Sequence, residues 1–238
     1  MRHSVKLIAK TVPVVEGIED AQGLIAYCAR VSNPSNQWNE ASAPGLLDYC
    51  RRHKHWSVFQ MANAVLEIEA PRDIARQFTR HESMVVIEHD TGYSVTPDGI
   101  DLKAGGVQEF SQRYAEVVET TDREMRRQDD KNRQSSHDDL PEAAKRFWED
   151  SAAEVVADAQ ALYKDALGAG VAKECARVVL PEGLVMSRLY VNANLRSWMT
   201  YLDVRLGPGT QKEHRVLADA IKGVLMAEFP MLFAEVAQ

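Results

Sequence analysis

Arginines in two separate segments stand beside groups able to hold an anion or a polar ring. One segment reads Ala75-Arg76-Gln77-Phe78-Thr79-Arg80-His81 and continues into Glu82-Ser83. The other reads Gln108-Glu109-Phe110-Ser111-Gln112-Arg113-Tyr114. Arg177, Arg196 and Arg205 follow in the last third of the chain. A guanidinium presents a planar fork of donors that matches two phosphate oxygens at once, so these types in these clusters suit a phosphate or pyrophosphate group. The plainer alternative is a solvated basic face. Ser111 has no His or Lys neighbour in sequence that would activate it as a nucleophile, which leaves it a binding role. Glu88-His89-Asp90 are consecutive, and three consecutive side chains rarely converge on one ion, so they read as surface polarity and no metal site is expected.

The chain around these residues has 238 amino acids and a net charge of -7. That length suits one domain with a sizeable core. The negative charge argues against a nucleic-acid polymer as partner, since such proteins carry a basic face. A local arginine cluster still favours a small anionic ligand. Three cysteines, Cys28, Cys50 and Cys175, are odd in number and widely spaced. They suggest neither a disulfide framework nor a zinc site, and each reads as a small buried hydrophobe. No apolar run reaches membrane-spanning length and the first residues lack a signal-peptide core, so a cytoplasmic location and no membrane partner are expected.

The elements that must position the arginines follow from periodicity. Val5, Leu7 and Ala9 alternate with polar residues and predict a first strand. Helices are predicted over Glu19 to Val31 and from Pro44 to about His53. Ala64 to Glu69 alternates as a half-buried strand. Pro71 opens a helix with Asp73 in its first turn, placing Ile74 and Phe78 towards the core and Gln77, Arg80 and His81 on another face. Val85 to Gly106 is rich in Gly and Pro and reads as a loop or hairpin excursion. Helix is predicted again from Gln108 towards Arg127, followed by an exposed polar stretch from Asp129 to Asp139. A long helix from Leu140 to Leu167 ends at Gly168 or Gly170. A short helix over Val171 to Leu180, a strand over Leu184 to Val191, a helix capped by Asn194 and running to Arg205, and a final amphipathic helix complete the chain. The pattern is a helix-rich α+β single domain with a small central sheet. It contains no strand followed by Gly-x-Gly-x-x-Gly, which argues against a dinucleotide-binding βαβ unit.

Taken together, Arg80-His81-Glu82-Ser83 and Ser111-Gln112-Arg113-Tyr114 resemble the signature of the flavin-dependent thymidylate synthases, broken by an insertion at about 85–106. Other blocks resemble that family in the same order: Ala29-Arg30-Val31-Ser32, His55-Trp56-Ser57-Val58-Phe59, Arg177 before Pro181, and Asn194-Leu195-Arg196 leading to Arg205. The chain departs from the family at Glu82, where an arginine is expected, at Gln60, where Glu is usual, and at Thr200, where Asn is common.

The resemblance implies one domain over 1–238 and a set of roles. Ser32, His55, Ser57, Arg80, His81, Asn194 and Arg196 match flavin-contacting positions, and Glu82 falls among them. Gln77, Arg80, Glu109, Ser111, Arg113, Arg177 and Arg205 match positions around the nucleotide, with Arg205 holding the pyrimidine ring as the catalytic residue. FAD, methylene-tetrahydrofolate and NADPH are the implied cofactor and co-substrates. The implied assembly is a homotetramer with shared active sites. The implied reaction is one-carbon transfer to carbon-5 of a pyrimidine deoxynucleoside monophosphate, dUMP to dTMP. Glu82 and the insertion keep a second outcome open, 5-hydroxymethylation of dUMP or dCMP. A third reading is a homologue that binds flavin and nucleotide without turnover.

Overall fold

The computed structural model describes residues 1–80, 105–117 and 119–234. The expectations placed on His81, Glu82 and 85–104 lie outside the described residues. The sheet is antiparallel, in the order β1 (Ser4–Lys10), β2 (Asn63–Pro71), β6 (Met186–Asn194), β3 (Gly105–Glu109). Its register sets Leu66 opposite Val191 and Ile68 opposite Leu189. Successive strand side chains point to opposite faces. Leu66, Ile68, Leu189 and Val191 are therefore buried together on one face. The intervening positions carry polar pairs on the other. There Tyr190 Oη donates to Glu67 at 2.8 Å and Arg188 Nε donates to Glu69 at 3.0 Å. These bonds, with those from Lys6 and Ser4, hold both carboxyls below their ordinary range.

Helices cover the apolar face. They are α1 (Ala21–Ala29), α2 (Ala43–Arg52), α3 (Arg72–Thr79), α6 (Leu195–Arg205), α7 (Lys212–Glu228) and α8 (Pro230–Phe233). Ile25, Leu47, Phe78, Trp198 and Ile221 bring five of them into one core with the sheet. Burial of each such side chain stabilises the fold by about 1.5–3 kcal/mol. Asn194 caps α6 as its sequence position predicts, its Oδ1 accepting from Ser197 N at 2.8 Å. The α3 helix begins directly after Pro71, and Ile74 and Phe78 are buried as expected.

Two expectations are corrected. The predicted helix from Gln108 is a strand followed by turns. Val107 pairs with Val191 and Glu109 with Leu189, and these cross-sheet bonds override the local helical pattern. The stretch from Asp129 to Asp139 is polar and mostly exposed, as expected, and it belongs to a hairpin, β4 (Arg127–Gln128) and β5 (Ser136–His137). Of the cysteines, only Cys50 is buried; Cys28 is half-buried and Cys175 is exposed in the short helix α5 (Lys173–Ala176).

The long helix α4 (Glu142–Gly168) ends where Gly170, at φ +83°, turns the chain back. Tyr163 is its buried side chain, while Trp148, Val155 and Leu162 lie at seven-residue spacing on its exposed surface.

Candidate functional site

The turn Gly207-Pro208-Gly209 separates α6 from α7 and lets the chain double back. The end of α6, the start of α7, the outer side of α3 and the β4–β5 hairpin then enclose a cleft of about 520 Å³. Gln77 and Arg205, both expected around a nucleotide, line it together with Arg126, Arg133, Lys212 and Arg215. Two of these cations are neutralised. Arg126 donates to both oxygens of Glu213 at 2.7 and 2.9 Å and to Glu124 at 2.8 Å. Lys212 donates to Glu124 at 2.7 Å. Burial pushes the Glu213 carboxyl up, but bonds from Gln211 and Arg126 outweigh it and hold the group below its ordinary range.

Among the described residues, no carboxylate is paired with Arg133, Arg205 or Arg215. Arg205 Nε is moreover a buried donor without an acceptor. A buried donor of this kind costs free energy until a ligand or water supplies an acceptor. The cleft is thus a cationic site on an acidic chain, suited to an anion or a ring with carbonyl oxygens.

An amide chain runs behind Gln77. Its Nε2 donates to Gln211 Oε1 at 2.7 Å, and Gln211 Nε2 donates to Glu213 Oε2 at 2.8 Å.

A second group gathers at the end of the sheet near α5. Glu109 lies 3.2 Å from Arg72 and 3.4 Å from Arg76 and accepts from Ser187 Oγ at 3.0 Å. Burial lowers the pKa of the Arg72 guanidinium; Glu109 opposes that shift, while nearby Arg76 and Arg177 add to it. Ser111 Oγ accepts from Arg113 N at 3.3 Å in the turn after β3. Arg113 Nε donates to Glu174 at 3.0 Å. Glu109, Ser111, Arg113 and Arg177 do not line the Gln77–Arg205 cleft. Of the described residues expected around a nucleotide, Gln77 and Arg205 are the ones that line this cleft.

The residues expected at a flavin are spread over several elements. Ser32 lines a cavity of about 550 Å³ between α1 and α2, with Arg30, Ser42 and Tyr49. His55 meets Tyr49 edge-on at 5.7 Å. Ser57 is exposed on the tight turn Trp56–Met61. Arg80 is exposed at the end of α3 and Arg196 is half-buried in the first turn of α6. Asn194 is buried with its oxygen accepting the cap bond, and its amide nitrogen remains a donor for a ligand.

Arg126, Arg133, Gln211, Lys212, Glu213 and Arg215 were not legible as site residues. Arg126 falls in the segment misread as helix, and Arg133 in the stretch read as exposed polarity. The one sequence signal was the Gly-Pro-Gly break, which brings Arg215 back beside Arg205.

The hairpin that carries Arg133 is held by Asp129, which accepts from Asn132 N at 2.6 Å and Lys131 N at 2.8 Å and contacts His137 Nε2 at 2.6 Å. These bonds, in that order, lower its pKa from 3.8 to about 2. A carboxyl depressed in the folded state contributes stability above its unfolded pKa and loses it as pH falls through the folded one. The hairpin is therefore expected to keep this contribution at neutral pH and to lose it between pH 3.8 and about 2. A carboxyl NMR titration checks this, and an Asp129 midpoint near 3.8 would show that the loop does not hold it.

Comparison with known proteins was consistent in sequence and in structure. The profile of the family described as "Thymidylate synthase complementing protein" matches residues 13–231. A "Probable flavin-dependent thymidylate synthase" of Paramecium bursaria Chlorella virus 1 is 44% identical over 96% of each chain. A "Flavin-dependent thymidylate synthase" of Synechocystis sp. is 42% identical over 97% of each. The crystal structure of the UMP/dUMP methylase PolB from Streptomyces cacaoi, bound with 5-Br dUMP, superposes with a TM-score of 0.73 at 22% identity, covering 98% of this chain and 93% of that one. At that identity the likeness is one of fold.

Proposed function

The chain belongs to the flavin-dependent thymidylate synthase family, and on that premise we propose that it transfers a one-carbon unit to carbon-5 of dUMP and yields dTMP. The observation that carries this reading is the Gln77–Arg205 cleft, where a guanidinium with a buried donor lacking an acceptor faces space for a small ring. Arg205 donates to a pyrimidine carbonyl and stabilises negative charge as it develops on the ring. Pyrimidine carbon-5 is a poor nucleophile, and this stabilisation stands where other thymidylate synthases add a thiolate to carbon-6. No cysteine lines the cleft, and burial pushes the Cys50 thiol up, away from the reactive thiolate. A variant with all three cysteines changed to Ser is expected to keep most of its turnover, and complete loss with fold and flavin intact would contradict this assignment.

The Ser32 cavity supports a flavin there: the Ser32 hydroxyl and the Arg30 guanidinium line it, and the exposed imidazole of His55 lies against its Tyr49, types that suit a polar heterocycle with a pyrophosphate. Bound there, FAD supplies the hydride of the reaction. Purified protein is expected to be yellow and to release FAD on denaturation. Protein that stays colourless after incubation with FAD and gel filtration would count against the enzymatic reading. Methylene-tetrahydrofolate is the carbon donor in this proposal, NADPH the reductant and the cytoplasm the location. That Glu109, Ser111, Arg113 and Arg177 do not line the cleft supports a homotetramer that completes the site across subunits. The apolar stripe of Trp148, Val155 and Leu162 supports it further, because such a surface is suited to burial against another copy.

Product analysis tests the reaction. Protein, FAD and methylene-tetrahydrofolate are incubated with dUMP or dCMP, with and without NADPH. Thymidylate from dUMP that requires NADPH is expected. A hydroxymethyl nucleotide formed without net reductant would overturn it.

A further inference from the structure

Gln77 lines the cleft with an amide whose orientation is dictated from behind. An amide turned by 180° exchanges its carbonyl and its NH₂, so the two are distinguished only by their partners. Here the far end of the chain settles them. Glu213 is 4% exposed and takes two bonds from Arg126, which keep it ionised and therefore an acceptor only. Gln211 must turn its NH₂ to Glu213, at 2.8 Å, and its carbonyl to Gln77. Gln77 must then turn its NH₂ to Gln211, at 2.7 Å. The carbonyl oxygen of Gln77 is left as the acceptor for a ligand.

We propose that Gln211 and Glu213 are positioning residues that set base specificity, by holding Gln77 in the orientation that accepts from uracil N3–H and opposes the bare N3 of cytosine. The inference rests on the reading of this cleft as the pyrimidine site. Uracil presents a donor at N3 between two carbonyl acceptors. Cytosine presents an acceptor at N3 beside an amino donor. Arg205 donates only, and so suits a uracil carbonyl but not a cytosine amino group. A freely rotating Gln77 would match either ring at N3. The relay forbids the second match, leaving acceptor against acceptor in a partly desolvated site. A mispaired buried polar group of that kind discriminates by roughly tenfold to hundredfold.

The measurement is the affinity of flavin-loaded protein for dUMP and for dCMP by calorimetry, in the wild type and three variants. The wild type is expected to favour dUMP by roughly tenfold or more. In Glu213→Gln, Arg126 donates to the new carbonyl, leaving an NH₂ to face Gln211. Both glutamines then reverse, and the dUMP-to-dCMP preference falls by roughly tenfold or more. Gln211→Met leaves the Arg126–Glu213 pair intact, releases Gln77 and brings the preference towards unity; it serves should loss of the Glu213 charge prevent folding. Adding Gln77→Glu to Glu213→Gln returns an acceptor to the cleft and restores the preference for dUMP. General damage would weaken both nucleotides alike and would not be rescued. An unchanged preference in Glu213→Gln and Gln211→Met, with wild type binding dUMP, overturns the relay alone. A double variant no better than Glu213→Gln also counts against the relay. A wild type that binds neither nucleotide overturns the reading of the cleft and the relay with it.

Discussion

Arg205→Ala is expected to lower kcat/KM for dUMP by about 10²–10³-fold while flavin stays bound, the range for losing one preorganised donor to developing negative charge. Arg205 ends α6 and is the cation of the cleft whose Nε is buried without an acceptor among the described residues. Tyr201, one turn earlier on α6, feels the Arg205 charge, but burial pushes its phenol up and it stays neutral. Among the described residues no carboxylate pairs with Arg205, which leaves its field to a ligand. Arg205→Lys keeps the charge but not the planar fork, and is expected to recover only part of the loss. Steady-state kinetics with dUMP, alongside the flavin spectrum, separates the terms. A variant that loses flavin and turnover together would place Arg205 at the cofactor, and one with unchanged kcat/KM would remove it from the mechanism.

Trp198→Ala is expected to reduce unfolding free energy by about 3–5 kcal/mol, the range for truncating a large buried aromatic side chain. Trp198 is fully buried on α6. Its ring lies 6.2 Å from Phe78 of α3, and its Nε1 donates to Ala64 O of β2 at 3.3 Å. The indole thus fastens together the helix carrying Arg205, the helix carrying Gln77 and the central strand. Trp198→Phe keeps part of the volume but leaves that carbonyl without its bond, and is expected to cost about 1–3 kcal/mol. Denaturant unfolding at constant m reads both values. A loss below about 1 kcal/mol for Trp198→Ala would mean that the surroundings collapse into the space.

The strands and helices that the sequence made legible are those whose signals are local. Alternation over Ala64 to Glu69 became β2, the Asn194 cap became the start of α6, and Pro71 with Ile74 and Phe78 became α3. Each depends on residues within one strand or one turn. The ordered blocks around Ser32, His55, Ser111, Arg113, Arg177 and Arg205 made the family legible for a related reason, because a short block keeps its residue types whatever its neighbours do in space.

The segment after Gly105 was misread because its partners are distant. Val107 and Glu109 are strand residues only by virtue of Val191 and Leu189 across the ladder. The candidate site depended on the same kind of contact. Arg126 reaches Glu213 across 87 positions, and Gln77 reaches Gln211 across 134. By itself the sequence determined the elements whose signals are local and the family, and it pointed to Gln77 and Arg205 as residues expected around a nucleotide. Only the tertiary structure decided that the β4–β5 hairpin brings Arg126 and Arg133 into a cleft with Gln77 and Arg205, and that Glu213 dictates which way the Gln77 amide faces. The physical reason is that periodicity and caps act within a few residues, whereas a buried ion pair and the hydrogen bonds it orients exist only once distant segments have packed and excluded water.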